Sequence, residues 1–231
     1  VYKRQAVTHE LKTPLTTIRM YVEMLEQGMA ADPRRQKRYF EVLGTETARL
    51  GRLINNVLEL SRLEKQQRPM TYGYGDLSDV VKKVETTLAP QLRSAGFDFQ
   101  VENRLKGPFA YDAEVLVQVL INLMENSLKF GGGSERKEIR LTIERHKGNV
   151  NLAVSDTGPG IPRNDLKRIF EDFYRAEDEM TRTTSGTGIG LALVKRFARA
   201  MEGQVTAANN PQGGCTITLS IPADTDTDHT I

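Results

Sequence analysis

His9-Glu10-Leu11-Lys12-Thr13-Pro14-Leu15 heads an apolar repeat that decides how the first part of the chain folds. Leu11, Leu15, Ile18, Val22, Leu25 and Met29 follow one another at steps of four, three, four, three and four. That spacing lays one seam along a helix that packs against other helices as in a coiled coil or bundle. Gly28 falls near the end of the pattern, and Asp32-Pro33 reads as an N-cap with a first-turn proline, so a second helix begins there. Its seam runs through Phe40, Leu43, Leu50, Ile54 and Val57, widened by Leu53, Leu58 and Leu60. Two long helices joined by a short turn form an antiparallel hairpin, which cannot bury both sides of its apolar face alone. Two-fold pairing into a four-helix bundle resolves this. Packing against the rest of the same chain is the plainer alternative.

His9 lies about 180° around the helix from Ile18, at 3.6 residues per turn, and so is expected on the solvent side. Thr13 shares its face, and Glu10 adjoins it. A neutral imidazole attacks through one nitrogen while the other keeps its proton. A carboxylate at the second nitrogen orients the ring and stabilises the cation that forms. Pro14 leaves the carbonyl of Glu10 without its helical partner, so a local bend is expected beside the reacting group. Taken alone, an exposed histidine on a polar face is the commoner explanation. His146, near Lys147-Gly148-Asn149, and His229, in the C-terminal tail, lack comparable neighbours.

Gln66-Gln67-Arg68-Pro69 reads as a linker. The expected division is a helical domain over 1–66, a linker at 67–70, a second domain over 71–222 and a disordered tail at 223–231. Within the second domain, strand-like runs fall near 70–74, 97–101, 139–145, 150–155, 204–207 and 215–221. Helical runs fall near 77–94, 114–130, 163–170 and 189–201. Strands that neighbour one another at both ends of this set argue for antiparallel pairing and an α+β fold.

A hydrophobic fraction of 39% with 27% charged residues fits a globular protein, and a formal net charge of +2 gives no reason to expect nucleic acid or an anionic membrane as partner. The one cysteine, Cys215, cannot close an internal disulfide, so a reducing compartment is expected, with the side chain packed in the core. No apolar run approaches the ~18 residues that cross a bilayer, and no signal peptide opens the chain. The expectation is a soluble piece cut from a longer parent.

Three further segments carry chemistry together. Asn122, Asn126 and Lys129 share one helix face, with Leu116, Leu120 and Leu123 about 100° away toward a core. An amide oxygen at Asn126 suits a hard cation such as Mg²⁺, and Lys129 suits phosphate. Asp156-Thr157-Gly158-Pro159-Gly160-Ile161 follows a strand. Its carboxylate can accept from an exocyclic amine, and its glycines let backbone approach a flat ring. Gly186-Thr187-Gly188-Ile189-Gly190-Leu191 runs into a helix and presents free amides to phosphate. Its alternate glycines differ from the dinucleotide-binding fingerprint. Between the last two segments, residues 171–185 are polar enough for a lid, and Arg175 could reach a terminal phosphate, although a surface arginine is the commoner explanation for any one such residue. Each segment alone has a bland explanation: a solvated helix face, a plain turn, another glycine-rich loop.

In this order, the segments resemble the sensor histidine kinases of two-component signalling along nearly the whole chain. His9–Pro14 resembles the H box, Asn122–Phe130 the N box, Asp156–Ile161 the first glycine box, Phe170–Phe173 the F box and Gly186–Leu191 the second glycine box. The resemblance implies a helical hairpin that forms a dimeric four-helix bundle, followed by an α/β sandwich ATP-binding domain of Bergerat type. It implies His9 as phosphoacceptor, Glu10 as acid/base partner, and Thr13 as a helper in dephosphorylating the partner regulator. It further implies Asn126 as ligand to Mg²⁺, and Lys129 and Arg175 at the phosphates of ATP. Asp156 would meet the adenine amine, and Phe130 and Tyr174 would flank the nucleotide. Asn122, Gly158, Gly160, Thr187, Gly188 and Gly190 complete the implied nucleotide site. The implied partners are a second copy and the receiver domain of a response regulator. No membrane contact is expected from this cytoplasmic segment; the resemblance alone implies a membrane anchor in the parent. Ser127 replaces a frequent alanine, a change expected only to tune helix packing, and Gly131-Gly132-Gly133 is unusually glycine-rich. Rival readings are an ATPase of the same fold that phosphorylates no histidine, and a dimerising scaffold that only binds nucleotide.

Overall fold

The computed structural model describes residues 2–65, 68–175 and 188–223; the side chains of 2–7, 9, 10 and 64 are outside the description. Helices α1 (Tyr2–Glu26) and α2 (Pro33–Glu64) form the expected hairpin. Asp32 caps α2 by accepting from the Arg34 amide at 3.0 Å, with Pro33 in the first turn. Pro14 lies buried inside α1, and the helix runs on through it. The tip is closed by Gly28 at φ +69° and by an edge-on contact of Tyr21 with Tyr39, ring centroids 5.0 Å apart. The first turns of α2 carry Arg34, Arg35, Lys37 and Arg38, all exposed, and no acidic residue occupies its first turn. Much of the seam faces outward: Leu15 is 58% exposed, Phe40 57% and Leu58 51%.

The second part is a five-stranded sheet with helices packed on one face. Its strands are β2 (Asp98–Asn103), β4 (Glu138–His146), β5 (Asn149–Asp156), β6 (Gln204–Asn209) and β7 (Cys215–Pro222), in the order β2-β4-β5-β7-β6. Helices α3 (Ser78–Ala95), α4 (Ala113–Gly131) and α5 (Gly190–Ala200) accompany it. Alternation sorts the strands: Val150, Leu152 and Val154 of β5 and Ile217, Leu219 and Ile221 of β7 are buried. Against them pack Leu116, Leu120 and Leu123 of α4, Val84 and Leu88 of α3, and Phe197 of α5. Asp112 caps α4 by accepting from the Val115 amide at 3.0 Å, and its other oxygen accepts from the Thr71 amide at 2.8 Å. One buried carboxylate thereby sets the start of α4 and ties the incoming chain to it.

Three expectations needed correction. The sheet is mixed, because β2 pairs with β4 in parallel. The chain between them passes through α4, the kind of crossover that parallel neighbours require. The segment 163–170 is a run of turns ending in one short 3-10 helix, Arg168–Phe170. The strand expected at 70–74 is confined to β1 (Gly73–Gly75), which pairs with β3 (Phe109–Tyr111), a strand too short to stand out in the sequence. The tail beyond residue 223 lies outside the described residues. Among the described residues, no helix is long and apolar enough to cross a membrane.

Candidate nucleotide site

The site is built where the C-terminal half of α4, the end of β5 and the start of α5 converge. Because Leu116, Leu120 and Leu123 fix the inner face of α4, Asn122, Asn126 and Lys129 turn together to one cavity of about 580 Å³. Asn122 is buried, and its amide donates to the Gln118 carbonyl at 2.9 Å. Its Oδ1 lies so close to Gly190 that a Cβ built there would approach it to 3.2 Å. The Lys129 ammonium sits 4.5 Å from the centroid of the half-exposed Phe130 ring.

Asp156 terminates β5 with its carboxylate buried. Oδ1 accepts from the Gly158 amide at 2.9 Å and the Cys215 amide at 3.3 Å. Oδ2 accepts from the Ser127 hydroxyl at 3.1 Å and the Cys215 thiol at 3.3 Å. Burial, and then the adjoining carboxylate, push the Cys215 thiol far above its ordinary range, so it remains a protonated donor. Gly214, at φ +84°, admits no side chain: a Cβ there would stand 1.9 Å from the Asp156 carbonyl. The loop beyond is clasped by Asn209, which accepts from the Ile161 amide at 2.8 Å and donates to its carbonyl at 2.7 Å.

Gly158 packs beside the Asp156 carboxylate, and Gly160 borders the cavity. Tyr174 and Arg175 border it from the other side, with Gly188 and Gly190. Tyr174 donates to Asp165 at 2.6 Å, which raises its pKa, and its ring lies under Arg168 at 4.4 Å. Gly188 adopts φ +68°, and a Cβ on it would fall 2.6 Å from the Tyr174 carbonyl. Thr187, and residues 176–185 of the expected lid, lie outside the described residues, as do the side chains of His9 and Glu10. Thr13 is exposed on α1, and its carbonyl accepts from the Thr17 hydroxyl at 3.2 Å.

Sequence reasoning missed several contributors. Ser127 was expected to matter only for helix packing, and Cys215 only for the core; both donate to Asp156. No local pattern marks them, because their partner is 29 and 59 residues away. The hairpin also contributes: Arg49, Arg52, Leu53 and Asn56 of α2 line the same cavity. Arg52 pairs with Glu125, the neighbour of Asn126, at 3.1 Å. Arg68 bridges to Glu59 and stacks over Phe197 of α5 at 5.0 Å, holding α2 to the sheet layer.

Two family models match the chain. His Kinase A (phospho-acceptor) domain matches residues 5–66, and Histidine kinase-, DNA gyrase B-, and HSP90-like ATPase matches residues 111–225. The chain belongs to the sensor histidine kinases. Similar curated proteins include Sensor protein kinase WalK of Staphylococcus haemolyticus, 29% identical over 94% of this chain, and that of Staphylococcus epidermidis, 30% identical over 94%. The chain spans 36% of the length of each. Among solved structures, Acinetobacter baumannii histidine kinase AdeS superposes with a TM-score of 0.71 at 26% identity, covering 94% of this chain and 98% of that one. ShkA full-length in complex with AMPPNP superposes with 0.67 at 25% identity, covering 95% and 45%.

The Arg52–Glu125 contact is open to test by pH. Burial raises the Glu125 pKa above its ordinary 4.5, and Arg52 pulls it back in part. A raised folded-state pKa gives stability that is complete below the ordinary value and is lost as pH climbs through the folded one. Arg52→Ala removes the offset, so it should lower the urea midpoint more than Glu125→Gln does. The gap between the two variants should widen as pH rises above about 4.5, the ordinary glutamate value. Parallel pH profiles for the two variants would contradict this.

Proposed function

We propose that this chain is the catalytic core of an ATP-dependent protein histidine kinase, which phosphorylates its own His9 and passes the phosphoryl group to an aspartate of a response regulator. The reading is carried by one observation. Asn122, Asn126, Lys129, Asp156, Gly160, Tyr174, Arg175, Gly188 and Gly190 border one cavity, in a chain that also carries a phospho-acceptor domain. It assigns residues 1–66 to dimerisation and phosphotransfer, 67–70 to a linker, 71–222 to catalysis and 223–231 to a tail.

ATP fits the residues present. The cavity is large enough for a nucleotide, and its glycine-bounded edge leaves the space a Cβ would fill. Asp156 accepts from the adenine amine. Phe130 and Tyr174 flank the nucleotide, and Gly158 and Gly160 let the loop backbone approach it. Lys129, Arg175 and the amides near Thr187, Gly188 and Gly190 hold the phosphates. Asn126, with Asn122 behind it, would hold Mg²⁺, which when bound neutralises charge on the phosphates. The neutral nitrogen of His9 attacks the γ-phosphorus in line. The bond to the β,γ-bridging oxygen breaks, and ADP leaves with that electron pair. Glu10 orients the ring and stabilises its positive charge through the second nitrogen. Positioning and charge neutralisation supply most of the acceleration. The reading places this segment in the reducing cytoplasm, with any membrane anchor elsewhere in the parent.

The outward seam of the hairpin supports a homodimer: Leu15, Val22, Phe40 and Leu58 are too apolar to form a continuous solvent face. A second copy covers it in a four-helix bundle. Sedimentation should give twice the chain mass, and Leu15→Asp with Leu58→Asp should give the monomer. A monomeric parent chain would refute the dimer.

With γ-labelled ATP the chain should take up acid-labile, base-stable label that is absent in His9→Ala. Release of phosphate without label would instead mark an ATPase, and neither outcome a scaffold. Thr13, exposed and one turn beyond His9, is assigned to regulator dephosphorylation. Thr13→Ala should keep the label yet slow loss of phosphate from the receiver domain at least several-fold. An unchanged rate would remove that role.

A further inference from the structure

An ionised carboxylate offers about four lone-pair positions. In Asp156 four donors fill them: the Gly158 and Cys215 amides at Oδ1, the Ser127 hydroxyl and the Cys215 thiol at Oδ2. An incoming exocyclic amine therefore has to take the place of one of them. The two amides belong to the backbone and cannot leave without moving the loop or the edge of β7. Of the two side-chain donors, the thiol is intrinsically the weaker. Both residues border the cavity, so the weakness of its bond is what makes the thiol the donor that rotates away. The Ser127 hydroxyl, on a residue 5% exposed, is the stronger donor and is the one retained.

We propose that Ser127 is a positioning residue for base recognition: its hydroxyl holds the Asp156 carboxylate in the orientation that accepts the amine of adenine, while the Cys215 thiol is the donor that gives way. The inference rests on the reading of this cavity as an ATP site. It also gives Ser127 a second consequence. The residue next to it, Asn126, is assigned to the cation at the phosphates, so a single turn of α4 addresses both ends of the nucleotide. A base with a carbonyl at the same position would set an acceptor against a carboxylate that Ser127 prevents from turning aside, and would be refused.

The test is direct binding to the full chain, comparing ATP with purine riboside triphosphate, which lacks the exocyclic amine. Alanine is the strongest helix former, so Ser127→Ala should leave α4 intact, and a thermal melt run alongside checks this. Loss of one hydrogen bond's orienting effect should weaken ATP binding about three- to tenfold. The same variant should bind the amine-free analogue within about twofold of the parent chain, because no amine is there to be oriented. Ser127→Thr, which keeps the hydroxyl, should preserve the parent's ratio between the two ligands. An equal loss for both ligands, no loss for ATP, tighter ATP binding, or a ratio lost in Ser127→Thr as fully as in Ser127→Ala would each overturn the role of Ser127. Failure of the parent chain to bind either nucleotide would overturn the ATP-site reading itself, and the inference with it.

Discussion

A charge withdrawn from water must be met by donors on every side, and the second domain is organised around that requirement at Asp156. Its partners come from α4, from the loop after β5 and from the first residue of β7. The Asp156 carbonyl is held as well, by the Asn210 amide at 3.1 Å. These bonds fix how far α4 stands from the sheet and how the loop leaves β5. Removing one donor leaves a buried carboxylate under-satisfied, which costs more than a typical hydrogen bond contributes. The glycine at 214 follows from the same constraint, since only a residue without a side chain lets β7 start so near the Asp156 carbonyl.

Much of this was legible from the chain because it is written in local periods. The step of three and four in the hairpin, the cap at Asp32, the alternation of β5 and β7, and the Leu116–Leu120–Leu123 stripe each depend on neighbours within one or two turns. The face shared by Asn122, Asn126 and Lys129 is legible for the same reason. What escaped depends on distant partners. Ser127 looks like any small residue on a helix until the sheet brings Asp156 beside it. The parallel β2–β4 pair depends on the route of the chain through α4. Residues 163–170 carry Leu166, Ile169 and Phe170 at helical spacing, but Asp165 closes turns there by accepting from the Arg168 and Ile169 amides. The ion pair of Arg52 with Glu125 joins residues whose own neighbourhoods give no hint of each other.

The hairpin is more than an appendage to the nucleotide layer. Arg49, Arg52, Leu53 and Asn56 form part of the cavity wall, and Arg68 grips both α2, through Glu59, and α5, through Phe197. The helix that pairs with the His9-bearing helix thus also borders the space assigned to the nucleotide. Few residues separate α2 from the sheet layer, so the two parts have limited freedom to part without breaking these contacts.

The positive start of α2 has a different consequence. Arg34, Arg35, Lys37 and Arg38 crowd four positive charges into the first two turns beside the positive end of the helix dipole, and the Asp32 carboxylate at the cap offsets only part of their repulsion. Counter-ions condensing there relieve the repulsion, whereas the same ions weaken the half-exposed pairing of Arg52 with Glu125. Ionic strength therefore acts in opposite senses on the two ends of one helix, firming the turn while loosening the hold on the catalytic layer.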